Sequence, residues 1–349
     1  MTDKTLGRPG PLARAYHRLD YFAYRVRNLK PGSVVERARQ VARRHNKSTA
    51  LVLADMLAWS TFHDTGFQDY VDWDFAILTS AERSTFMTNA YSNHLAVRFN
   101  DPAYRHLFEN KIHFNREFAP DLHRAWLDVD AASTDELREF VQSHKVVMGK
   151  VPVSNSGYGV ARYSAADIDD WEAFRAQLVA RGQTLVEEYI TNQHPDISAV
   201  CPGVVNTTRV TTFFDGTDVH VLSFAQKFGM GDSASDQQAF GGVFTLLDET
   251  GHSLGPGYGS HQHIYPTHPE TGASIVDFQL PMTAEVLALA DTVSRRVPQI
   301  PYVGWDIVVG TDGPMLLEGN WMPGAYENKP TATGKRTGSR PLFRQVMGV

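Results

Sequence analysis

Residues 304–320 read GWDIVVGTDGPMLLEGN: two short apolar runs, with Asp306 in the first and Glu318 and Asn320 in the second. The pair of runs reads as a β-hairpin. Positions two apart on a strand share a face, so Glu318 and Asn320 project together. With residues 310–314 as the loop, Val309 faces Met315 and Asp306 falls directly opposite Glu318. Like charges directly opposite on a sheet are destabilising, and a buried carboxylate without a partner costs more. A divalent cation would relieve both. Mg²⁺ suits a few carboxylate oxygens completed by waters and phosphate oxygens. The alternative places both acids at an exposed sheet edge, and a four-residue loop would break the assumed register.

The chain around this hairpin has 349 residues, 42% hydrophobic and 21% charged, enough for two or three structural units. Its one cysteine, Cys201, excludes an internal disulfide and suits a reducing, cytoplasmic setting. Cys201 precedes Pro202 in an apolar run and reads as a buried packing residue rather than a nucleophile. The start, MTDKTLGRPGPLARAY, lacks the apolar stretch of a signal peptide. The run ALVLADMLAW is too short to span a membrane and contains Asp55.

Charge is uneven. Residues 1–47 hold twelve Lys/Arg against three Asp/Glu, about +9, which leaves about −15 for the rest of a chain of net −6. This arm reads as a solvated helix with Leu12, Tyr16, Leu19 and Tyr24 as its apolar stripe, and no nucleic-acid partner is expected. A nucleic-acid or membrane-surface arm is the alternative.

Residues 11–60 read as helices broken at Pro31-Gly32, followed by a mixed aromatic and acidic segment to about Pro102. YRHLFENKIHFNREF predicts a helix with Leu107, Ile112 and Phe114 inward. From residue 146 the rhythm changes to short β runs, at 146–148, 184–190, 210–214 and 219–224, with helices near 168–182 and 282–297.

Several residues in these runs can bind anions or cations. GKVPVSNSGYGV supplies Lys150, Ser154, Asn155, Ser156, Gly157 and Gly159. Glycines let backbone N–H groups approach phosphate closely, and the lysine adds a charge, although this is not a Walker A pattern. An ordinary glycine-containing hairpin loop is the other reading. TLVEEYI places Glu187 and Glu188 side by side on a strand, so one of them faces away from the core; as a hinge, the backbone and Glu187 would bond an adenine edge. Arg209 and Lys227 lie on two strands joined by a DGTD turn, either on solvated faces or in the cleft of Asp306 and Glu318. In the cleft they would neutralise a transferring phosphoryl group. His261-x-His263 lacks the cysteines or acids of a zinc site. No convincing Ser-His-Asp or Cys-His set is present.

Lysine, glycine loop, glutamate strand and D…ExN hairpin stand in an order that resembles the ATP-grasp superfamily. The chain looks most like the sugar-transfer-associated ATP-grasp group. The match runs over about 65–328 through NKIHFNREF, NTTRV, AFGGVF, the HPETG turn and the hairpin. The resemblance implies an α+β fold, two α+β subdomains gripping ATP after a mostly helical N-terminal region. The divisions it implies are 1–105 (basic arm and pre-grasp region), 106–183 (subdomain A) and 184–349 (subdomain B). It assigns Lys111 and Lys150 to the ATP phosphates and residues 154–159 to a lid over them. Glu187, Glu188 and Ile190 become the adenine hinge, and Asp306, Glu318 and Asn320 the ligands of Mg²⁺, two ions for which Mn²⁺ can substitute. Arg209 and Lys227 become catalytic stabilisers. Asn110 stands where the group commonly has Asp, Lys227 where Arg is expected, and Gln237 where Asn is expected.

The implied activity is ATP-dependent ligation: a small-molecule or peptide carboxylate is activated as an acylphosphate and joined to an amine or another nucleophile. A non-catalytic ATP-binding protein of a biosynthetic assembly, or a small-molecule phosphotransferase, is the alternative.

Overall fold

The computed structural model describes residues 31–154, 158–231, 236 and 241–349. The chain divides into two compact units, 1–78 and 79–349. In the first, helices Pro31–Arg44 and Thr49–Phe62 pack together. Val34, Ala38, Val41 and Ala42 are buried on one, and Val52, Met56 and Trp59 on the other, at the three-to-four spacing of a helix face. Pro31 and Gly32, read as a break between helices, both lie within the helix Pro31–Arg44. The stripe expected at Leu12, Tyr16, Leu19 and Tyr24 lies outside the described residues. Among the described residues no helix is long and apolar enough to cross a membrane.

The second unit is built on two antiparallel sheets. The smaller has β1 (Trp126–Asp128), β2 (Val146–Lys150), β3 (Val160–Ser164) and β4 (Leu185–Glu188), in the order β1-β4-β2-β3. Helices Thr134–His144 and Trp171–Ala180 cover it, packing Leu137, Val141, Phe174 and Leu178 against Val147 and Val186. The first starts at a capping box in which Ser133 and Glu136 satisfy each other's backbone N–H. β4 was expected to open the second subdomain. It instead lies inside the smaller sheet, hydrogen-bonded to β1 on one side and β2 on the other.

The larger sheet has β5 (Thr208–Phe214), β6 (Val219–Phe228), β7 (Val243–Leu246), β8 (Gly257–Tyr258), β9 (Ile264–Tyr265), β10 (Tyr302–Gly310) and β11 (Gly313–Asn320). Their order is β11-β10-β5-β6-β7-β8-β9. Along β10, Val303, Trp305, Ile307 and Val309 enter the main core with Phe108, Phe114, Phe118 and helix Thr283–Ser294. Tyr302 packs in a separate cluster with Leu95, Phe343 and Met347. Asp306, out of phase with Trp305, therefore projects from the face opposite the aromatic cluster.

The hairpin register arises differently from the sequence expectation. Gly310 pairs with Gly313, so the loop is two residues long and Val309 faces Pro314 rather than Met315. A β-bulge then skips Leu317, and Asp306 lands opposite Glu318 after all. The single helix expected around residue 110 is two, His106–Glu109 and Lys111–Glu117, separated by Asn110. Asn110 caps the second by accepting from Ile112 N at 2.9 Å.

One buried carboxyl ties the C-terminal segment down. Glu327 Oε1 accepts from Met87 N (2.7 Å), Ser339 N (2.8 Å) and Ser339 Oγ (2.7 Å). Burial pushes its pKa up to about 7, against the pull of these donors. The folded state thus holds this proton to higher pH than the unfolded chain does. Its stabilisation is complete below the ordinary glutamate pKa and is lost as pH rises through about 7. Glu327→Gln should remove a decline of order 1–3 kcal/mol between pH 5 and 8. Denaturant unfolding of both proteins across that range checks this; parallel pH slopes would refute it.

Candidate functional site

Asp306 stands directly across from Arg209 on β5 and from Glu318 on β11. Arg209 grips it with two arms of the guanidinium: Nε donates to Oδ1 at 2.7 Å and Nη2 to Oδ2 at 2.8 Å. Nη1 donates to the Pro323 carbonyl at 2.9 Å. Gly304 leaves room for this arm, since a Cβ there would lie 2.9 Å from Nη1. Lys227 Nζ lies 2.9 Å from Asp306 Oδ1 and 3.7 Å from Asp236 Oδ1. Asp236 in turn accepts from Thr207 N at 2.7 Å and Thr207 Oγ1 at 2.5 Å.

All four charged side chains are buried, two of each sign. Burial alone would raise the Asp306 pKa. Arg209 first, and then Lys227, outweigh it and hold the carboxyl well below the usual carboxylate range. Burial likewise opposes charge on Lys227, and Asp236 and Asp306 override it, so the ammonium is kept protonated. The sequence left Arg209 and Lys227 between solvated faces and the cleft of Asp306 and Glu318. The structure places both in the interior beside Asp306, as its counter-ions, so Asp306 is compensated before any divalent cation is added.

The remaining hairpin donors sit beside this pair. Asn320 Nδ2 lies 3.2 Å from Asp306 Oδ2 and 3.5 Å from Glu318 Oε1, bridging the two carboxylates. Rotated about its terminal bond, the same amide offers an oxygen there instead. Two carboxylates and an amide oxygen are hard donors that fit Mg²⁺ with its waters and phosphate oxygens, provided Asp306 is shared with Arg209 and Lys227. They do not make an all-protein cage, and among the described residues no group of three or more His, Cys, Asp or Glu side chains could hold a metal.

The smaller sheet supplies the other residues. Glu187 is buried; its Oε1 accepts from Asn115 Nδ2 at 2.8 Å and Arg124 Nη2 at 3.0 Å, and its Oε2 pairs with Lys150 Nζ. The expectation that Glu187 bonds an adenine edge through its side chain is therefore corrected: three donors already consume that carboxylate. Glu188 is the outward member of the pair, and its Oε2 accepts from Ala125 N at 3.1 Å. Ile190 packs with Val308 and Met315.

Lys111 opens its helix at the mouth of the glycine loop. Its backbone N donates to Pro152 O at 2.9 Å, and its Nζ donates to Ser154 O at 2.6 Å and Ser154 Oγ at 3.2 Å. Gly159 closes the loop at φ +73, where a Cβ would also run into Val151. Asn155, Ser156 and Gly157 lie outside the described residues, as does Gln237. Burial pulls Lys111 below the ordinary lysine pKa; the field of Glu318 opposes this, and the charge of Lys150 adds to it. Among the described residues Lys111 has no carboxylate at ion-pair distance, and Glu318 has no cation.

Cys201 is buried, which pushes its thiol up to about 11, so it packs rather than reacts. Sequence reasoning missed Asn115, Arg124 and Asp236. Asn115 was legible in principle, one helical turn after Lys111 and so on the same face. Asp236 stands in SDQQAFGG with no pattern to mark it, and Arg124 follows a short helix in no motif.

Residues 173–331 match the family model described as sugar-transfer associated ATP-grasp. Solved structures similar to the chain include D-alanyl-alanine synthetase A from Vibrio cholerae, at 11% identity and TM-score 0.42, covering 71% of this chain and 67% of that one. The D-cycloserine synthetase DcsG is similar at 15% identity and TM-score 0.43, over 74% of this chain and 76% of that one. The ATP-grasp ligase PsnB, complexed with minimal precursor, Mg and ADP, is similar at 15% identity and TM-score 0.40, over 82% and 74%. No curated protein matches the chain.

The charge arrangement makes a stability prediction. Arg209→Met should cost about 3 kcal/mol, because removing one partner leaves a buried carboxylate under-compensated. Glu318→Gln removes a partly exposed carboxylate that has no ion-pair partner, and should leave stability unchanged or raised. Urea unfolding of the two variants checks the contrast, and equal losses would show that the Arg209–Asp306 pair is not what carries the burial.

Proposed function

We propose that this chain, an ATP-grasp protein over residues 173–331, is an ATP-dependent ligase that activates a carboxylate as an acylphosphate and joins it to an amine or another nucleophile. The observation that carries this reading is the pair of charges left without ionic partners among the described residues. Lys111 stands on one wall and Glu318 on the other, close enough for the Glu318 field to act on Lys111. A polyphosphate with its divalent ion brings the complement of both.

In this reading Lys111 and Lys150 hold the phosphates, and Glu188 and Ile190 belong to the strand end that receives the base. Ser154 and Gly159 flank the loop over the phosphates. Asp306, Glu318 and Asn320 would hold Mg²⁺, which supplies charge neutralisation at the phosphoryl oxygens. One oxygen of the substrate carboxylate attacks the γ-phosphorus, and the bond to the β-phosphate oxygen breaks to release ADP. The amine then attacks the acyl carbon, loses its proton, and phosphate departs with the oxygen that made the attack. Arg209 and Lys227 stabilise the charge that develops, so positioning and electrostatics carry the reaction. The single buried cysteine supports a cytoplasmic setting. Binding of ATP without catalysis is the second reading, favoured by one observation: Asp306 is already engaged by Arg209 and Lys227.

With ¹⁸O in the substrate carboxylate, one label per turnover should leave in inorganic phosphate, found by screening carboxylate and amine pools with ATP and Mg²⁺ by mass spectrometry. Lys150→Ala should lower turnover by about 10²-fold or more. Unlabelled phosphate alongside accumulating condensed product would rule out the acylphosphate route. A stable phosphorylated product would mean a phosphotransferase, and ATP binding without substrate-dependent hydrolysis would favour the second reading.

A further inference from the structure

Arg124 is a buried cation that the chemistry above leaves unused. It follows His123, which adopts the left-handed backbone conformation (φ 50) after a short helix and turns the chain sharply. Such a conformation is uncommon for a residue other than glycine, and histidine is among those that tolerate it.

The guanidinium touches both sheets of the second unit. Nη2 donates to Glu187 Oε1 at 3.0 Å, on β4 of the smaller sheet. Nη2 also donates to Leu317 O at 3.0 Å, and Nη1 donates to Leu316 O, both on β11 of the larger sheet. Carbonyls of successive residues on a regular strand point to opposite sides. Two successive carbonyls can meet one guanidinium here because Leu317 is the bulged residue. That bulge is what places Glu318 opposite Asp306. At the other end of the contact, Glu187 is the carboxylate that holds Lys150.

We propose that Arg124 is a positioning residue that locks the carboxylate hairpin to the Lys150–Glu187 pair. The inference rests on the nucleotide reading of the site. Arg124 touches no substrate in this scheme. It fixes the bulge that aims Glu318, and it shares the carboxylate that aims Lys150, so that the phosphate-binding and metal-binding groups keep one spacing. The planar fork is essential, because three acceptors on two elements must be met in fixed directions, and a lysine ammonium at the same place is only a point charge.

Arg124→Lys keeps the charge and is the primary test; Arg124→Met, which leaves Glu187 with less compensation, is the second. ADP affinity is measured by calorimetry with and without Mg²⁺, alongside amide hydrogen exchange at residues 316–318. In the wild-type chain Mg²⁺ should strengthen ADP binding. In Arg124→Lys the ammonium still compensates Glu187, so Lys150 stays aimed and ADP binding without metal should stay within about threefold; the two carbonyls of the bulge lose their fork, and the strengthening by Mg²⁺ falls by about tenfold or more, a coupling loss distinct from loss of affinity. Exchange at 316–318 should speed up. An Arg124→Lys protein with an unchanged Mg²⁺ effect would overturn the proposal, as would one that weakens ADP equally with and without metal. Wild-type protein that binds no ADP would instead sink the nucleotide reading, and this inference with it. Where Arg124→Met fails to fold, Arg124→Lys still decides.

Discussion

The two-armed contact of Arg209 with Asp306 is the constraint on which the larger sheet's site depends. Asp306 sits in an interior strand flanked on both sides, on a residue that is 1% exposed. An ionised carboxylate there is tolerable only when its lone pairs are met. Arg209 meets both oxygens from the neighbouring strand, and the surroundings are arranged to let it. Gly304 leaves space for the guanidinium, the Pro323 carbonyl takes its third arm, and Trp305, one residue on, points into the opposite core. Gly304→Ala or a shift of the β5–β10 register by one residue would therefore reach the site through Arg209, because side chains alternate faces along a strand.

The two sheets divide the electrostatic work. Lys150 with Glu187, and Arg209 with Asp306, are satisfied pairs that give each wall a fixed shape without any ligand. Lys111 and Glu318 are held by neutral neighbours instead, Ser154 for the first and Asn320 for the second. A neutral hydrogen bond orients a charge without cancelling it. The paired groups thus serve as scaffolding, and the charges with field to spare stand one on each wall.

Legibility in the sequence followed how local each signal was. The α+β class, the switch from helices to short strands, and the buried fate of Cys201 depend on composition and periodicity, and these are readable. The opposition of Asp306 and Glu318 was anticipated, although from a five-residue loop; a two-residue loop and a bulge at Leu317 give the same register by a different route. A bulge adds one residue without a sequence mark, so two errors cancelled. The Glu187 side chain was misread because its partners, Asn115 and Arg124, lie 72 and 63 residues away along the chain. Arg209 and Lys227 were identified, but their burial was not, since alternation along β5 and β6 does not reveal which face is covered. Tertiary ion pairs are decided by which strands neighbour each other, and that order, β11-β10-β5-β6, is not written in any one segment.

The departures from the resembled pattern make physical sense once the geometry is in place. Asn110 replaces an expected Asp, yet its task is to accept from the N–H groups of Ile112 and His113, which an amide oxygen does as well as a carboxylate oxygen. The neutral residue also withholds a negative charge next to Lys111. Lys227 replaces an expected Arg. Arg209 already occupies both oxygens of Asp306 in the in-plane, two-armed geometry, so a second fork has no such face left to use. A point charge has no such requirement, and Lys227 Nζ sits 2.9 Å from Asp306 Oδ1 and 3.7 Å from Asp236 Oδ1. Its ammonium keeps donors unspent in a buried position. Lysine at this position is compatible with arginine at 209: one cation fixes Asp306 by geometry, and the other compensates it by charge.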